Sequence, residues 1–243
     1  MDYLKNKIAI VTGGSKGLGR AVALLMAAKG VFVSICARDE DALADTCREI
    51  KTRGGNCAYF KTDVTEEDQV NLMVDNVLNK FGGIDILINN AGVGLYKPVS
   101  ECTVADWDYI MNTNLKGYFL CSKAVIPVMQ KQKAGHIVNV ASGAGHFGIE
   151  NLALYCASKF GTIGFSESLR KELDKFGVRV TSISPGYINT NFFKDFPQNY
   201  LKSQNAVEPE KIAAEIVKKI THRETKPIFS FRRYFRGPSR EMS

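Results

Sequence analysis

The sequence predicts an α/β fold: one doubly wound parallel sheet with helices on both faces. Two observations carry this. Strand-like and helix-like segments alternate from one end of the chain to the other. The strand-like segments are short, uninterrupted apolar runs rather than alternating ones, as expected of parallel strands buried on both faces. A chain of 243 residues is long enough for one substantial core and short for two, so residues 1–243 read as a single domain.

The elements follow in order. Lys7 to Thr12 is an apolar run ending in glycines and predicts the first strand. Leu18 to Lys29 is rich in Ala, Leu and Met at helical spacing. Val31 to Ala37 predicts a strand, Asp39 to Arg53 a helix, and Cys57 to Lys61 a strand. Thr65 to Phe81 is the clearest helix, with Val70, Met73, Val74, Val77, Leu78 and Phe81 on one face. Thr65 with Asp68 suggests a capping box at its start, and Gly82 a stop. Ile84 to Asn89 predicts a strand, with helices following at Thr103 to Met111 and Leu115 to Gln132. His136 to Ala141 is a strand, Leu154 to Phe176 a long helix, and Val178 to Ser184 a strand. Glu208 to Ile220 is helical, with Pro209 at its first position, and Pro227 to Phe231 suits a last strand.

Composition excludes several classes. No apolar run approaches the roughly 20 residues of a membrane helix. Met1 to Lys7 lacks the apolar core of a signal peptide, so the cytoplasm is the expected compartment. The six cysteines form no Cys-x-x-Cys pair and no zinc-finger spacing, so they read as reduced thiols and no metal is expected. A formal net charge of +7 favours anionic ligands without selecting one.

The segment Thr12-Gly13-Gly14-Ser15-Lys16-Gly17-Leu18-Gly19 joins the first strand to the first helix. Glycines there permit a tight turn and a close approach of pyrophosphate, and a helix N-terminus faces the phosphates with N–H donors. The spacing is Gly-x-x-x-Gly-x-Gly, not the common Gly-x-Gly-x-x-Gly. At the end of the second strand, where an acid would hold the ribose 2′-hydroxyl of NAD, the sequence has Ala37 and then Arg38. Arg38, with Lys16 as a second cation, suits a 2′-phosphate and favours NADP(H) over NAD(H). Asp39 is the counter-signal, expected to open the next helix and point away.

Tyr155-Cys156-Ala157-Ser158-Lys159 sets a tyrosine and a lysine four apart, on one helical face. A free phenol has a pKa of about 10, too high for a base near neutrality. A neighbouring ammonium favours the phenolate. Ser142 ends a predicted strand, at the sheet edge where such folds bind ligands. Asn114 lies early in a predicted helix.

Together these residues resemble the short-chain dehydrogenase/reductase family over essentially the whole chain, closest in type to 3-oxoacyl-acyl-carrier-protein reductases. The resemblance rests on Thr12 to Gly19, Asp63-Val64, Asn89-Asn90-Ala91-Gly92, Asn114, Ser142, Tyr155 with Lys159, and Pro185-Gly186, in family order and spacing. It implies a Rossmann-type sheet and hydride transfer between NADP(H) and a carbonyl/alcohol pair. It implies that Tyr155 exchanges the proton, Lys159 holds the nicotinamide ribose and lowers the Tyr155 pKa, Ser142 binds the substrate oxygen, and Asn114 positions a relay water. Asp63 and Val64 would contact adenine, Asn90, Ala91 and Gly92 the adenine-side ribose, and Ile188 and Thr190 the nicotinamide amide.

The segment 191–204 is the family's substrate lid and here carries Phe192, Phe193, Phe196 and Tyr200. These rings either shape a pocket for an apolar or acyl substrate or pack the lid on the body. Tyr96, His146, Phe147 and Leu152 lie on loops expected to border that pocket. Lys131, Lys133, Arg170, Lys171 and Lys175 suit an acidic carrier protein, but the C-terminus departs from the acyl-carrier reductases. It ends in a basic aromatic tail, 231–243, that reads as a packed or loose terminus rather than a nucleic-acid or membrane site. The resemblance implies a homo-oligomer through the helices at Leu115 to Gln132 and Leu154 to Phe176. A cofactor-binding regulatory protein without turnover is the alternative of a different class.

Overall fold

The computed structural model describes residues 3–193, 195–198 and 205–222. The Phe193 side chain, Tyr200, the strand expected at 227–231 and the basic tail at 231–243 lie outside the described residues.

Six strands form one parallel sheet: β1 (Ile8–Thr12), β2 (Phe32–Ala37), β3 (Asn56–Lys61), β4 (Ile86–Asn89), β5 (Gly135–Val140) and β6 (Val178–Ile183). Their order is β3-β2-β1-β4-β5-β6, so the sheet is doubly wound and its direction of winding reverses between β1 and β4. Successive side chains point to opposite faces of a strand. Ala9, Val11, Ile86, Ile88, Val138 and Val140 join one core layer, whereas Ile10, Leu87 and Ile137 join the other. The first layer is closed by α1 (Gly17–Ala28), α2 (Glu40–Thr52) and α7 (Pro209–Thr221). The second is closed by α3 (Glu67–Phe81), α5 (Gly117–Gln132) and α6 (Ala153–Leu173). No helix of the described residues is long and apolar enough to cross a membrane.

Two local expectations are corrected. The capping box expected at Thr65 does not form: α3 starts at Glu67 after an N-cap, Glu66, that makes no side-chain cap bond. The Thr65 hydroxyl and N–H both turn back to the Asp63 carboxylate, at 2.9 and 3.0 Å, and tie down the loop after β3 instead. The break expected between Met111 and Leu115 is also absent. α4 (Val104–Met111) runs through a π-helical turn, Asn112–Lys116, directly into α5. A real capping box opens α4, where Thr103 and Asp106 exchange side-chain-to-backbone bonds.

Polar side chains buried at the carboxyl ends of β4 and β5 are linked by hydrogen bonds. The Asn89 amide donates to the Asn139 Oδ1 at 2.8 Å and to the Ser122 hydroxyl at 3.1 Å. The Asn139 amide donates to Ser166 at 2.9 Å. These bonds lock β4, β5, α5 and α6 together next to the site and satisfy both amide nitrogens, while the Asn89 Oδ1 is buried without a hydrogen-bond partner among the described residues.

Candidate active site

The carboxyl ends of all six strands open onto one cavity of about 670 Å³, across the point where the strand order reverses. One end lies over β1 to β3 and the other over β4 to β6.

The first end begins with the glycine loop. Gly13 and Gly17 take positive φ, and a Cβ on Gly19 would fall 2.2 Å from the Gly13 carbonyl oxygen. Side chains are therefore excluded where the loop turns into α1. Lys16 is the N-cap of α1 and makes no side-chain cap bond, so the first N–H groups of the helix face the cavity uncapped. Thr46 donates to the Ser15 carbonyl at 3.2 Å and ties the loop to α2.

Arg38 follows β2 on the cavity wall, exposed, with no ion-pair partner among the described residues. Asp39 does open α2, accepting from the Ala42 N–H at 3.1 Å, but it does not point away. Its second oxygen accepts from Lys16 Nζ at 2.6 Å. The register of the β1–β2 pair carries the ends of these two strands side by side, so residues 23 apart in sequence meet. The Lys16 ammonium and the Ala42 N–H hold the Asp39 carboxyl below the usual carboxylate range. Arg20, on the same wall, is ion-paired to Glu49.

The other end is buried. Lys159 is 3% exposed, and burial pushes its ammonium down to about 7. Its Nζ donates to the Val140 carbonyl at 2.9 Å and lies 5.7 Å from the centre of the Tyr155 ring. The Tyr118 hydroxyl donates to the same carbonyl at 2.9 Å, so two buried groups share one acceptor at the end of β5. Ser142, two residues on, caps a short 3₁₀ turn by accepting from the Ala144 N–H. Tyr155 and Lys159 stand in the first turns of α6 and both line the cavity with Ser142.

Asn114 sits within the π turn and is fully buried. Its amide accepts from the Val93 N–H at 2.8 Å and donates to the Val93 carbonyl at 2.9 Å and to the Ser158 hydroxyl at 3.1 Å. Ser158 in turn donates to the Tyr155 carbonyl at 2.7 Å. Asn114 thus braces both the loop after β4 and the start of α6. π turns occur mostly as single bulges, often at functional sites.

Eighteen of the residues expected to serve catalysis or cofactor binding meet on the cavity wall: Gly13, Ser15, Lys16, Gly17, Leu18, Arg38, Asp63, Val64, Asn90, Ala91, Gly92, Ser142, Tyr155, Lys159, Pro185, Gly186, Ile188 and Thr190; Asp39 and Phe192 stand there too. Thr12, Gly19 and Asn114 stand behind it. The Thr12 hydroxyl accepts from the Asn90 and Ala91 N–H groups, both at 2.9 Å, and holds the β4 loop in place.

Next to this buried end Ala144, Leu152, Tyr155, Cys156 and Phe196 form a packed apolar cluster, with Tyr96, Ile149 and Phe192 against it; of these, Tyr155 and Phe192 also line the cavity. The Phe192 ring lies 5.9 Å from that of Tyr155, and Phe196 lies 5.5 Å from Tyr96. His146 bonds Ser184 at 2.8 Å, and partial burial lowers its pKa; like Phe147, it is not on the cavity wall.

Residues 7–201 match the family model described as short chain dehydrogenase. The chain belongs to the short-chain dehydrogenase family. A 3-oxoacyl-acyl-carrier-protein reductase from Synechocystis sp. is 36% identical over 221 residues, covering 89% of this chain and 90% of its own. A metagenomic short-chain oxidoreductase solved in complex with NADP superposes with a TM-score of 0.81 at 32% identity, covering 93% of this chain and 96% of its own. A Burkholderia phymatum member solved in complex with NAD gives 0.86 at 27% identity, covering 92% and 88%. Short-chain dehydrogenases are oxidoreductases that bind nicotinamide cofactors and act on small molecules.

The residues present fit such a cofactor. Gly13, Ser15, Lys16, Gly17 and Leu18 line the cavity at the uncapped start of α1, where a diphosphate would meet helix N–H donors, and Gly19 behind them lets the loop pack closely on the Gly13 carbonyl. Several wall residues were not legible beforehand. Arg20, Pro209 and Glu210 reach the cavity through packing of α1 and α7, which no local pattern announces. Tyr118 and Ser158 matter through hydrogen bonds to residues 22 and 3 positions away. Ser158 was within reach of a sequence reading, since it lies between Tyr155 and Lys159.

Proposed function

We propose that this short-chain dehydrogenase is an NADP(H)-dependent enzyme, working as one domain, that interconverts a carbonyl and a secondary alcohol. The observation that carries the reading is the buried Lys159 ammonium beside the Tyr155 ring, in the same cavity whose far end bears Arg38. The nicotinamide, when bound, supplies or accepts the hydride.

The chain's own residues orient, polarise and move one proton. In reduction the Tyr155 hydroxyl gives its proton to the substrate oxygen, and in oxidation its phenolate takes one. Ser142 hydrogen-bonds that oxygen and holds it against Tyr155. A charged Lys159 favours the phenolate, and its buried position strengthens the effect. Asn114 holds this end in register. Its side-chain amide is committed to Val93 and Ser158, so a relay water between Lys159 and solvent would rest on its main chain. At the other end, Arg38 would meet the 2′-phosphate, Asp63 and Val64 the adenine, and Asn90, Ala91 and Gly92 the adjoining ribose. Lys159 would also hold the nicotinamide ribose. Pro185, Gly186, Ile188 and Thr190 would hold the nicotinamide side.

For the substrate, the Phe192 ring on the cavity wall 5.9 Å from Tyr155 and the Synechocystis relative support a 3-oxoacyl thioester or another lipid-like ketone. Phe119 and Phe160, both 46% exposed on α5 and α6, support a homo-oligomer through those helices.

The test is NADPH consumption with acetoacetyl thioesters of coenzyme A and of acyl-carrier protein, with NADH in parallel. Turnover with NADPH supports the reading, and turnover of the carrier form supports the acyl assignment. NADPH binding without turnover of any ketone would favour a non-catalytic, cofactor-sensing protein.

A further inference from the structure

We infer that Asp39 is a specificity-determining residue that works against the 2′-phosphate, holding Lys16 in an ion pair at the cavity mouth and narrowing the gap between NADP(H) and NAD(H). The inference rests on the cofactor reading above and concerns the degree of preference within it.

Four features carry it. The Asp39 carboxylate is held from two sides, by Lys16 Nζ at 2.6 Å and by the Ala42 N–H at 3.1 Å. The second contact is the N-terminal cap of α2, so the carboxylate cannot swing away without uncapping the helix. Lys16 is therefore already neutralised where a 2′-phosphate would need it. Arg20, the third cation at this mouth, is taken by Glu49, which also pairs with Arg53. Arg38 is then the one cation of this end without an ion-pair partner among the described residues.

A carboxylate in this position has opposite effects on the two cofactors. It repels a phosphate dianion and costs the site the full use of Lys16. It is also an acceptor suited to the free 2′-hydroxyl of NAD(H). Specificity is a difference between two affinities, and Asp39 acts on both with opposite sign. Lys16 and Asp39 are exposed, with side-chain exposures of 68% and 46%, so the effect is graded rather than absolute.

The test is direct binding, without turnover. NADPH and NADH are titrated by fluorescence, and adenosine 2′,5′-bisphosphate and 5′-AMP by calorimetry, at low and moderate salt. Asn and Ser both cap helices, so Asp39→Asn and Asp39→Ser remove the charge and keep the cap. Each is expected to shift the NADPH-to-NADH affinity ratio toward NADPH by about threefold to tenfold, less at higher salt. The bisphosphate should tighten in step relative to 5′-AMP. Adding Lys16→Met to Asp39→Asn should remove most of the gain. An unchanged ratio, a shift toward NADH, or equal weakening of both cofactors as from a lost cap would overturn the inference. The underlying cofactor reading is judged separately, by whether the wild type binds NADPH more tightly than NADH and whether Arg38→Ala abolishes that preference.

Discussion

At the mouth of the cavity Lys16, Arg38 and Asp39 stand in solvent, while at the other end Lys159 is 3% exposed and Asn114 not at all. The mouth is held by ion pairs that water and salt weaken. The inner end is held by short hydrogen bonds to main-chain carbonyls and by ring contacts, in a place that water does not screen. On the function proposed above, charges at the mouth would act as adjustable biases on which cofactor binds, and the charge at the inner end would decide whether a proton moves. The same type of group, a lysine ammonium, would then serve a minor role in one setting and a decisive one in the other.

The sharpest way to break this contrast is to remove the phenol. Tyr155→Phe should lower kcat by about a thousandfold, the scale of a lost general acid, while NADPH affinity stays within about twofold. Steady-state turnover beside a fluorescence titration measures both. Survival of turnover would dismiss Tyr155 as the proton donor.

Lys159→Met should also abolish turnover, yet the cofactor-free variant should melt several degrees higher than wild type. A buried ammonium is costly, and the Val140 carbonyl keeps a donor, Tyr118, after the change. The folded-state value for Lys159, about 7, lies below its ordinary 10.5. Between these values the folded protein binds fewer protons than the unfolded chain, so the wild type gains stability as pH rises through that window. The melting gap between the two proteins should thus be widest at and below neutral pH and close on the alkaline side. A gap that grows with pH would mean Lys159 is not penalised by burial.

At the mouth the effects shrink. Arg38→Ala should weaken NADPH by about tenfold at low salt, the scale of one charge-assisted bond, and leave NADH within about twofold. The loss should diminish in high salt, and a salt-independent loss would place Arg38 in a structural role. Smallest of all, Gly94→Ala sets a Cβ 2.8 Å from the rim of the Phe192 ring and 3.2 Å from that of Phe196. The rings can give way, so KM for an apolar ketone should change by about twofold to threefold with kcat unchanged. No change in KM would separate these rings from the substrate.

The contrast between the two ends also divides what could be read in the sequence. Each of the six strands is found within two residues of its expected place, because most are short apolar runs bounded by glycines or other turn residues and too short for a helix. Tyr155, Lys159 and Ser142 were legible because helical spacing and a strand end fix their direction locally. The Lys16–Asp39 pair was not, since only the parallel register of β1 and β2 brings its members together. Nor was the Asn114 brace, whose partners Val93 and Ser158 come from a loop and from another helix. Thr65 misled because a hydroxyl near a helix start has two competing acceptors, and Asp63 won.

The π turn at Asn112–Lys116 also works as a phase shifter. An α-helix advances about 100° per residue, so one extra residue in a turn rotates everything downstream by that angle relative to an unbroken helix. With it, Ile110 of α4 and Leu120 and Cys121 of α5 are all buried. Deleting a single residue here would restore a regular helix and turn one of those two stretches toward solvent. Along this 29-residue helical run, from Val104 to Gln132, chain length is therefore as constrained as side-chain identity.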